Sequence, residues 1–118
     1  MSVLLDREID KLKTMISSLG AHVEENVEKA VRAVHERDAA LAEAVVDSDP
    51  EIDSMEVNIE EECLKVLALH QPVAHDLRFI IAVLKVNNDL ERIGDLAANI
   101  AEQGRFIASH GPSAVPYD

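Results

Sequence analysis

Apolar residues recur every three or four positions through the first third of the chain, and this spacing constrains the fold more than any other feature. Side chains three and four apart share one face of an α-helix. The pattern predicts a helix from about Leu4 to about Glu36, roughly 50 Å long at 1.5 Å per residue. Gly20 lies within it without a Pro, so we expect a continuous helix with a close packing point at this Gly. The apolar positions are Leu5, Ile9, Leu12, Ile16, Leu19, Val23, Val27, Ala30 and Val34.

The next segment reads as a helix in two pieces. Arg37-Asp38 marks a break, and Asp38 can cap a short helix over residues 39–46. The run Asp47-Ser48-Asp49-Pro50 has the pattern of a new helix start, an Asp cap followed by a Pro at the first helical position. Apolar spacing then continues to near His70. We therefore expect the second helix to be broken near Pro50.

A third long helix follows the Gln71-Pro72 pair, because the residue before a Pro is biased out of helix. It is expected to begin at Val73. Its apolar positions are Leu77, Ile80, Ile81, Leu84, Leu90, Ile93, Ala97, Ile100, Gly104 and Ile107.

The composition agrees with packed helices and with one small domain. The 118 residues are 47% hydrophobic but only 3% aromatic, with four Gly and four Pro, a balance that disfavours a β-sandwich. The sequence thus predicts an all-α fold, an antiparallel three-helix bundle over residues 1–109, followed by a linker or tail at 110–118. Helices this long present wide lateral faces, and any apolar stripe that one neighbour cannot cover needs another copy or repeat.

Charge and cysteine content exclude several classes of function. Eleven basic and 23 acidic residues give a formal net charge of −12, which disfavours nucleic acid and anionic lipid as ligands. The single Cys63 fits a reducing cytoplasm, no signal peptide begins the sequence, and the longest apolar run, residues 79–84, is too short to span a bilayer. We expect a soluble, cytoplasmic protein. Since no phosphate loop, nucleophile elbow or Cys-x-x-Cys is present, we do not expect an enzyme.

Three oxygen-bearing side chains lie in a row along one side of the predicted third helix. Glu91, Asp95 and Asn99 are spaced four residues apart, with no Lys or Arg in the row and with Gly94 between the two carboxylates. At 100° per residue this row falls nearly opposite the apolar sector, so a solvated polar face remains open as an interpretation. The alternative is a metal site, because carboxylate and amide oxygens suit Mg²⁺, Ca²⁺, Mn²⁺ or ferric iron. Without His in the row, zinc is disfavoured by ligand chemistry.

The second helix carries another acidic row, again at helical spacing. Residues 38–64 contain ten acids and no Lys or Arg. A solubilising face is one interpretation of this row. If it faces the row of the third helix, the two form a carboxylate-lined groove whose repulsion a bound cation relieves. The residues of the second row are Asp49, Asp53, Glu56 and Glu60.

Two motifs at a characteristic separation carry a resemblance to a known family. The first is Gln71-Pro-Val-Ala-His-Asp-Leu-Arg78, and the second is Asp89-Leu-Glu-Arg-Ile-Gly-Asp95. With the long first helix and the acidic Asp53-Ser-Met-Glu56 segment, they closely resemble the PhoU family of phosphate-signalling regulators.

The resemblance implies tandem three-helix repeats, each with one Glu/Asp-x-x-x-Asp motif that binds a multinuclear metal cluster, commonly of iron or zinc, on the bundle surface. Carried over to this sequence, the ligands are Glu91 and Asp95 with Asn99 one turn on, and Asp53 and Glu56 as additions. The implied function is to restrain the phosphate regulon when phosphate is plentiful. The implied partners are the ATPase of the phosphate ABC transporter and a sensor histidine kinase, so membranes are reached only through partners.

The chain departs from the family in length, since it holds one repeat where a typical member has two. It is therefore either the first repeat of a longer protein or a half-size member that pairs with itself, as a homodimer with two metal motifs. Two other functions compete with the regulator. One is a metal-dependent enzyme or metal store in a helical bundle, although the expected Glu-x-x-His pairs are missing. The other is a purely structural dimerisation module.

Overall fold

Three long antiparallel α-helices form an elongated bundle of 62 × 23 × 17 Å in the computed structural model, which describes residues 3–110. Helix α1 spans Val3–Glu36, α2 spans Ala39–His70, and α3 spans Ala74–His110. Each helix packs against both of the others. The prediction of an all-α three-helix bundle is therefore confirmed.

Both turns between helices use left-handed residues and short backbone hydrogen bonds. Arg37 has φ 56°, and the Asp38 carboxylate then caps α2 by accepting from the Leu41 N–H at 3.0 Å. At the other turn, Gln71 has φ 44° and its N–H donates to the Leu67 carbonyl at 3.2 Å. These caps satisfy backbone groups that a helix end would leave unpaired.

The expected break near Pro50 is wrong, because α2 continues through this residue as one helix. Pro50 has no N–H for the Val46 carbonyl, a loss that normally kinks or ends a helix. Side chains support the chain just before it: the Ser48 hydroxyl donates to the Val45 carbonyl at 2.8 Å, and the Asn26 amide of α1 donates to the Ser48 oxygen at 2.8 Å. Packing against α1 thus holds helical geometry where the local sequence predicts a restart.

The core has a large-residue half and a small-residue half. Around the α2–α3 turn, Leu, Ile and Val side chains from all three helices fill the interior, with Leu12, Ile59 and Ile80 almost completely buried. Toward the α1–α2 turn the core is built mainly from Ala. The small-residue members are Ala30, Ala33, Ala42, Val45, Ala97 and Ala101.

Close packing occurs at two glycines of α3, and the expected packing point at Gly20 is wrong. Nothing lies within 4 Å of the position that a Cβ on Gly20 would take. A Cβ on Gly104 would lie 3.1 Å from Val34 Cγ2, and one on Gly94 would meet Ile52 Cγ2 at 3.6 Å and Glu56 Oε1 at 3.9 Å. Small residues on α3 therefore let α1 and α2 approach it.

The buried face of α3 is rotated from the one that its large apolar residues indicate. Its buried residues are Ile80, Val83, Asn87, Gly94, Ala97, Ala101 and Gly104. Leu77, Ile81 and Ile93, which the apolar spacing places on the buried face, are about 40% exposed. Because the true contact face runs through Gly94 and Ala97, the row of Glu91 and Asp95 lies beside α2 and not opposite the core.

Other expectations concern single residues and the termini. Cys63 is fully buried. Within residues 3–110 no helix is long and apolar enough to cross a bilayer. His110 is the last residue of α3, and the rest of the predicted linker, residues 111–118, lies outside the described residues.

Candidate metal centre

Carboxylates from α2 and α3 converge on one side of the bundle. One oxygen each from Asp49, Asp53 and Asp95 can lie within 4.8 Å of the others. A divalent ion holds oxygen ligands at about 2.0–2.6 Å, so three oxygens this close can share one ion. Together with Glu56 and Glu91, these three residues are called the acidic centre below.

Glu56 is the buried member of the acidic centre. Its side chain is only 6% exposed, and its Oε1 has no hydrogen-bond partner in the described part of the chain. Burial, followed by the negative charge of Glu91 and of the three aspartates, raises the pKa of Glu56 to about 7. The pKa of Asp49 is raised in the same direction by burial and by Asp53 and Asp95. Burial first, and like charge second, therefore disfavour the ionised form of both carboxyls.

A cleft of about 140 Å³ opens beside the acidic centre between α2 and α3. Asn87 lies in its wall, 7% exposed, and its amide nitrogen donates to the Glu56 backbone carbonyl at 3.0 Å. The amide oxygen of Asn87 has no partner among the described residues. The wall of the cleft is formed by Asp53, Glu56, Val57, Glu60, Leu84, Asn87, Asn88 and Glu91.

A second buried carboxylate on α2, Glu62, has the positively charged partners that Glu56 lacks among the described residues. The Glu62 carboxylate forms ion pairs with Lys11 of α1 and Lys65 of α2, and each Nζ lies 3.1 Å from a carboxylate oxygen. Hydrogen bonding from the Glu8 carboxyl, and then from the two lysines, lowers the pKa of Glu62 to about 2. Six residues earlier on α2, Glu56 is buried beside four like charges and has no such base. The two sites therefore differ in the supply of positive charge.

The residues of the acidic centre fit a hard cation. All their donors are carboxylate oxygens, the set that Mg²⁺, Mn²⁺, Ca²⁺ and iron accept. Neither His nor Cys is a member of the centre, so zinc fits less well. The orphaned Oε1 of Glu56 is an observation independent of the surface carboxylates, and it points to the same chemistry.

The structure brings four of the five predicted site residues together, namely Asp53, Glu56, Glu91 and Asp95. Asn99 is exposed one turn further along α3 and does not line the cleft. Asp49, which was not among the predicted ligands, supplies the third close oxygen instead. Asp49 belongs to the acidic row that is predicted on the second helix, one turn before Asp53, but the family resemblance carries over only Asp53 and Glu56 from that row as ligands.

Comparison with known proteins identifies the family. The PhoU domain matches residues 16–104. The chain is 40% identical over 108 residues to the phosphate-specific transport system accessory protein PhoU homolog of Aquifex aeolicus (strain VF5), covering 92% of this chain and 49% of that protein. It is 36% identical over 110 residues to the phosphate-specific transport system accessory protein PhoU of Escherichia coli (strain K12), covering 92% of this chain and 46% of the other.

A solved structure agrees with these relatives. The crystal structure of PhoU from Pseudomonas aeruginosa superposes with a TM-score of 0.88 at 39% identity, covering 92% of this chain and 52% of that one. The chain spans about half the length of the curated relatives it matches. The relatives are named as accessory proteins of a transport system and not as enzymes. The resemblance drawn from the two sequence motifs is confirmed: the chain belongs to the PhoU family.

Proposed function

We propose that the chain regulates phosphate uptake and phosphate-regulon signalling, restraining both when phosphate is plentiful. Its membership of a family whose named relatives are accessory proteins of phosphate-specific transport supports this function. It acts in the cytoplasm by docking on proteins, through rigid helical faces. Its partners are the ATPase of the phosphate transporter and a sensor histidine kinase.

The acidic centre serves this function as a surface metal site. Asp49, Asp53 and Asp95 hold a cation, Glu56 and Glu91 complete the negative field, and a second ion can extend the site toward the cleft. Bound metal neutralises the repulsion between α2 and α3 and so fixes the shape of the docking face. The unpartnered, buried Oε1 of Glu56 is the observation that carries this step.

Metal analysis tests the site directly. The protein is purified without chelators and its metal content is compared with that of Glu91→Ala/Asp95→Ala. We expect the double variant to lose bound metal. The matched control is Glu24→Ala/Glu28→Ala, which removes two exposed carboxylates at the same spacing from α1 and should retain it. Equal metal content in all three proteins would refute the site.

Pull-down with the purified transporter ATPase and with the sensor kinase tests the regulator. Binding that depends on phosphate or metal supports it. Absence of binding to both partners under every condition leaves a bundle metalloenzyme, a metal store or a structural module.

A second three-helix unit, either another copy or a second repeat, completes the assembly. Exposed apolar side chains on α2 support this step, among them Val57 and Leu64. Light scattering on the 118-residue chain decides between the two sources. A dimer supports self-pairing, and a clean monomer refutes it.

A further inference from the structure

The two motifs that identify the family each contain an arginine that the acidic centre does not use. Arg78 closes the first motif and Arg92 lies within the second, fourteen residues later, with Lys85 midway between them. Residues seven apart on an α-helix differ by only about 20° in direction. All three bases are exposed on α3, so they form a straight row about 21 Å long. This row is called the basic stripe below.

The basic stripe is poorly compensated within the molecule. Among the described residues the side chains of Arg78 and Lys85 make no ion pair or hydrogen bond. Arg92 donates to Asp89 on the same helix at 2.9 Å, in a pair whose side chains are 72% and 60% exposed. Exposed pairs of this kind contribute little and exchange partners easily. A chain with a net charge of −12 thus presents a line of available positive charge.

Large apolar side chains flank the basic stripe on both sides. By helical position, Ile81 lies toward α2, while Val86 and Ile93 lie toward α1, and Leu96 continues the line of the stripe itself. These four residues are 40–59% exposed. Apolar side chains beside a row of charges form an amphipathic surface, which suits a partner that presents both kinds of group at helical spacing.

We infer that the outward face of α3 is a docking surface for an acidic amphipathic helix of a partner protein, with carboxylates spaced to meet Arg78, Lys85 and Arg92. This inference rests on the proposed docking function and assigns it a surface. Charge complementarity selects the occupant, because carboxylates at seven-residue spacing face the three bases one by one. A continuous polyanion such as an anionic membrane is disfavoured, since it also meets Asp89, Glu91 and Asp95 on the same helix.

Binding to the purified transporter ATPase is measured for the wild type, for the stripe variant Arg78→Glu/Lys85→Glu/Arg92→Glu, and for a control, Arg7→Glu/Lys29→Glu/Arg32→Glu. The control makes the same charge change on α1. Circular dichroism checks that each variant is folded. We expect the stripe variant to bind at least tenfold more weakly and the control to stay within threefold. Where the wild type binds, equal losses in both variants, or no loss in the stripe variant, overturn the inference.

A second probe separates failure of the surface from failure of the proposed function. A synthetic 21-residue helical peptide with Glu at every seventh position, flanked by Leu, is titrated into the ¹⁵N-labelled chain beside a scrambled peptide of the same composition. Shifts confined to residues 77–96, seen with the ordered peptide only, support the surface even if neither proposed partner binds. Equal response to both peptides overturns it, and so does stripe-dependent binding to phosphatidylglycerol vesicles without peptide binding. If the ATPase binds but the stripe variant binds equally well, the proposed function stands and the surface does not.

Discussion

Glu56 and Glu62 are buried carboxylates on the same helix, and their surroundings give them opposite roles. Glu62 is held by two lysines and ties α2 to α1. Glu56 shares its surroundings with four acids, and no base is among the groups that shift its pKa. Burying a carboxylate costs free energy unless charge or hydrogen bonds compensate it. Glu62 therefore contributes to stability at neutral pH. Ionised Glu56 reduces stability unless a bound cation or a proton neutralises its charge.

Replacement of Glu56 by Gln should stabilise the metal-free protein at alkaline pH. The pKa of Glu56 is about 7 in the folded chain against 4.5 as the ordinary value, so the folded state holds a proton that the unfolded state has lost. Wild-type stability therefore falls as pH rises from about 4.5 through 7. With chelator at pH 8.5, urea unfolding should show the variant more stable by up to about 3 kcal/mol, and the advantage should shrink below pH 5.

Glu62→Gln is the matched control, with the sign reversed. The Glu8 hydrogen bond, and then the two lysines, lower the pKa of Glu62 to about 2. The Glu8 contribution needs a proton on Glu8, but the lysine contribution does not, so the stabilisation from the lysine pairs is present above about pH 4.5 and is lost as pH falls through 2. The variant should be destabilised by about 1–3 kcal/mol at neutral pH, with wild type and variant converging in acid. The same sign at both positions would contradict the account of the two environments.

The two packed glycines of α3 should respond differently to alanine. At Gly94 the added methyl makes ordinary contacts, so the gain in helix propensity of about 1 kcal/mol should appear. At Gly104 the methyl would lie 3.1 Å from Val34 Cγ2 and 3.4 Å from the Val34 backbone nitrogen. Overpacking there should cancel the gain or destabilise the protein by about 1 kcal/mol. Urea unfolding of both variants tests this, and a larger gain at Gly104 would contradict it.

Helix α2 shows both the reach and the limit of local sequence signals. Apolar spacing and the Asp38 cap locate its start, and Gln71-Pro72 locates its end within one residue. Pro50 misleads, because a Pro after Asp49 has the local pattern of a helix start while contacts from Asn26 of another helix keep the chain helical. Such a long-range hydrogen bond has no local signature.

Replacement of Pro50 by Ala should stabilise α2. The variant restores the N–H that the Val46 carbonyl lacks and removes the ring from a helix interior, where Pro is about 3 kcal/mol less favourable than Ala. Part of this gain is lost because the unfolded chain becomes freer, so we expect about 1–2 kcal/mol in urea unfolding.

Pro72→Ala is the control for this change. Pro72 is buried in the turn between α2 and α3 and lies outside the helices, where Pro restricts the unfolded chain without costing a helical hydrogen bond. Its replacement should destabilise the protein. If Pro50→Ala also destabilises the protein, Pro50 contributes to the stability of α2, which would contradict the expected gain.

Helix α3 limits sequence prediction in a different way. The motif around Gly94 indicates the family and the carboxylates, but large apolar residues suggest a face that the structure rotates. Small residues form the real contact, because Gly94, Ala97, Ala101 and Gly104 permit close approach of the other helices. A helical periodicity that counts mainly large apolar side chains gives these small residues too little weight. Asp95 lies close to the acidic row of α2 only because the buried face of α3 is rotated in this way. The sequence alone therefore could not decide between a solvated polar face and a metal site.

At the scale of the whole molecule, an acidic surface and a basic surface lie side by side on α2 and α3. Residues 38–64 of the acidic α2 region contain no Lys or Arg, whereas α3 carries the three bases of the basic stripe. A cation at the acidic centre and an acidic partner at the basic stripe would each neutralise one of these surfaces. The two sites lie on neighbouring sides of α3.

Metal should invert the order of stability between the wild type and Glu91→Ala/Asp95→Ala. Without metal, removing two carboxylates from the acidic centre relieves repulsion, so the double variant should have the higher melting temperature. With metal, the wild type gains stability by mass action, about 2.7 kcal/mol when the free ion is at 100 times its dissociation constant. Thermal unfolding in EDTA and then in increasing Mn²⁺ should show the melting temperatures of the two proteins crossing.

The Glu24→Ala/Glu28→Ala control should follow the wild type, because its exposed carboxylates on α1 lie outside the centre. Parallel rises in all three proteins would mean that Mn²⁺ acts on net charge alone, and a wild type more stable than the double variant in EDTA would mean that the acidic centre is not under repulsion.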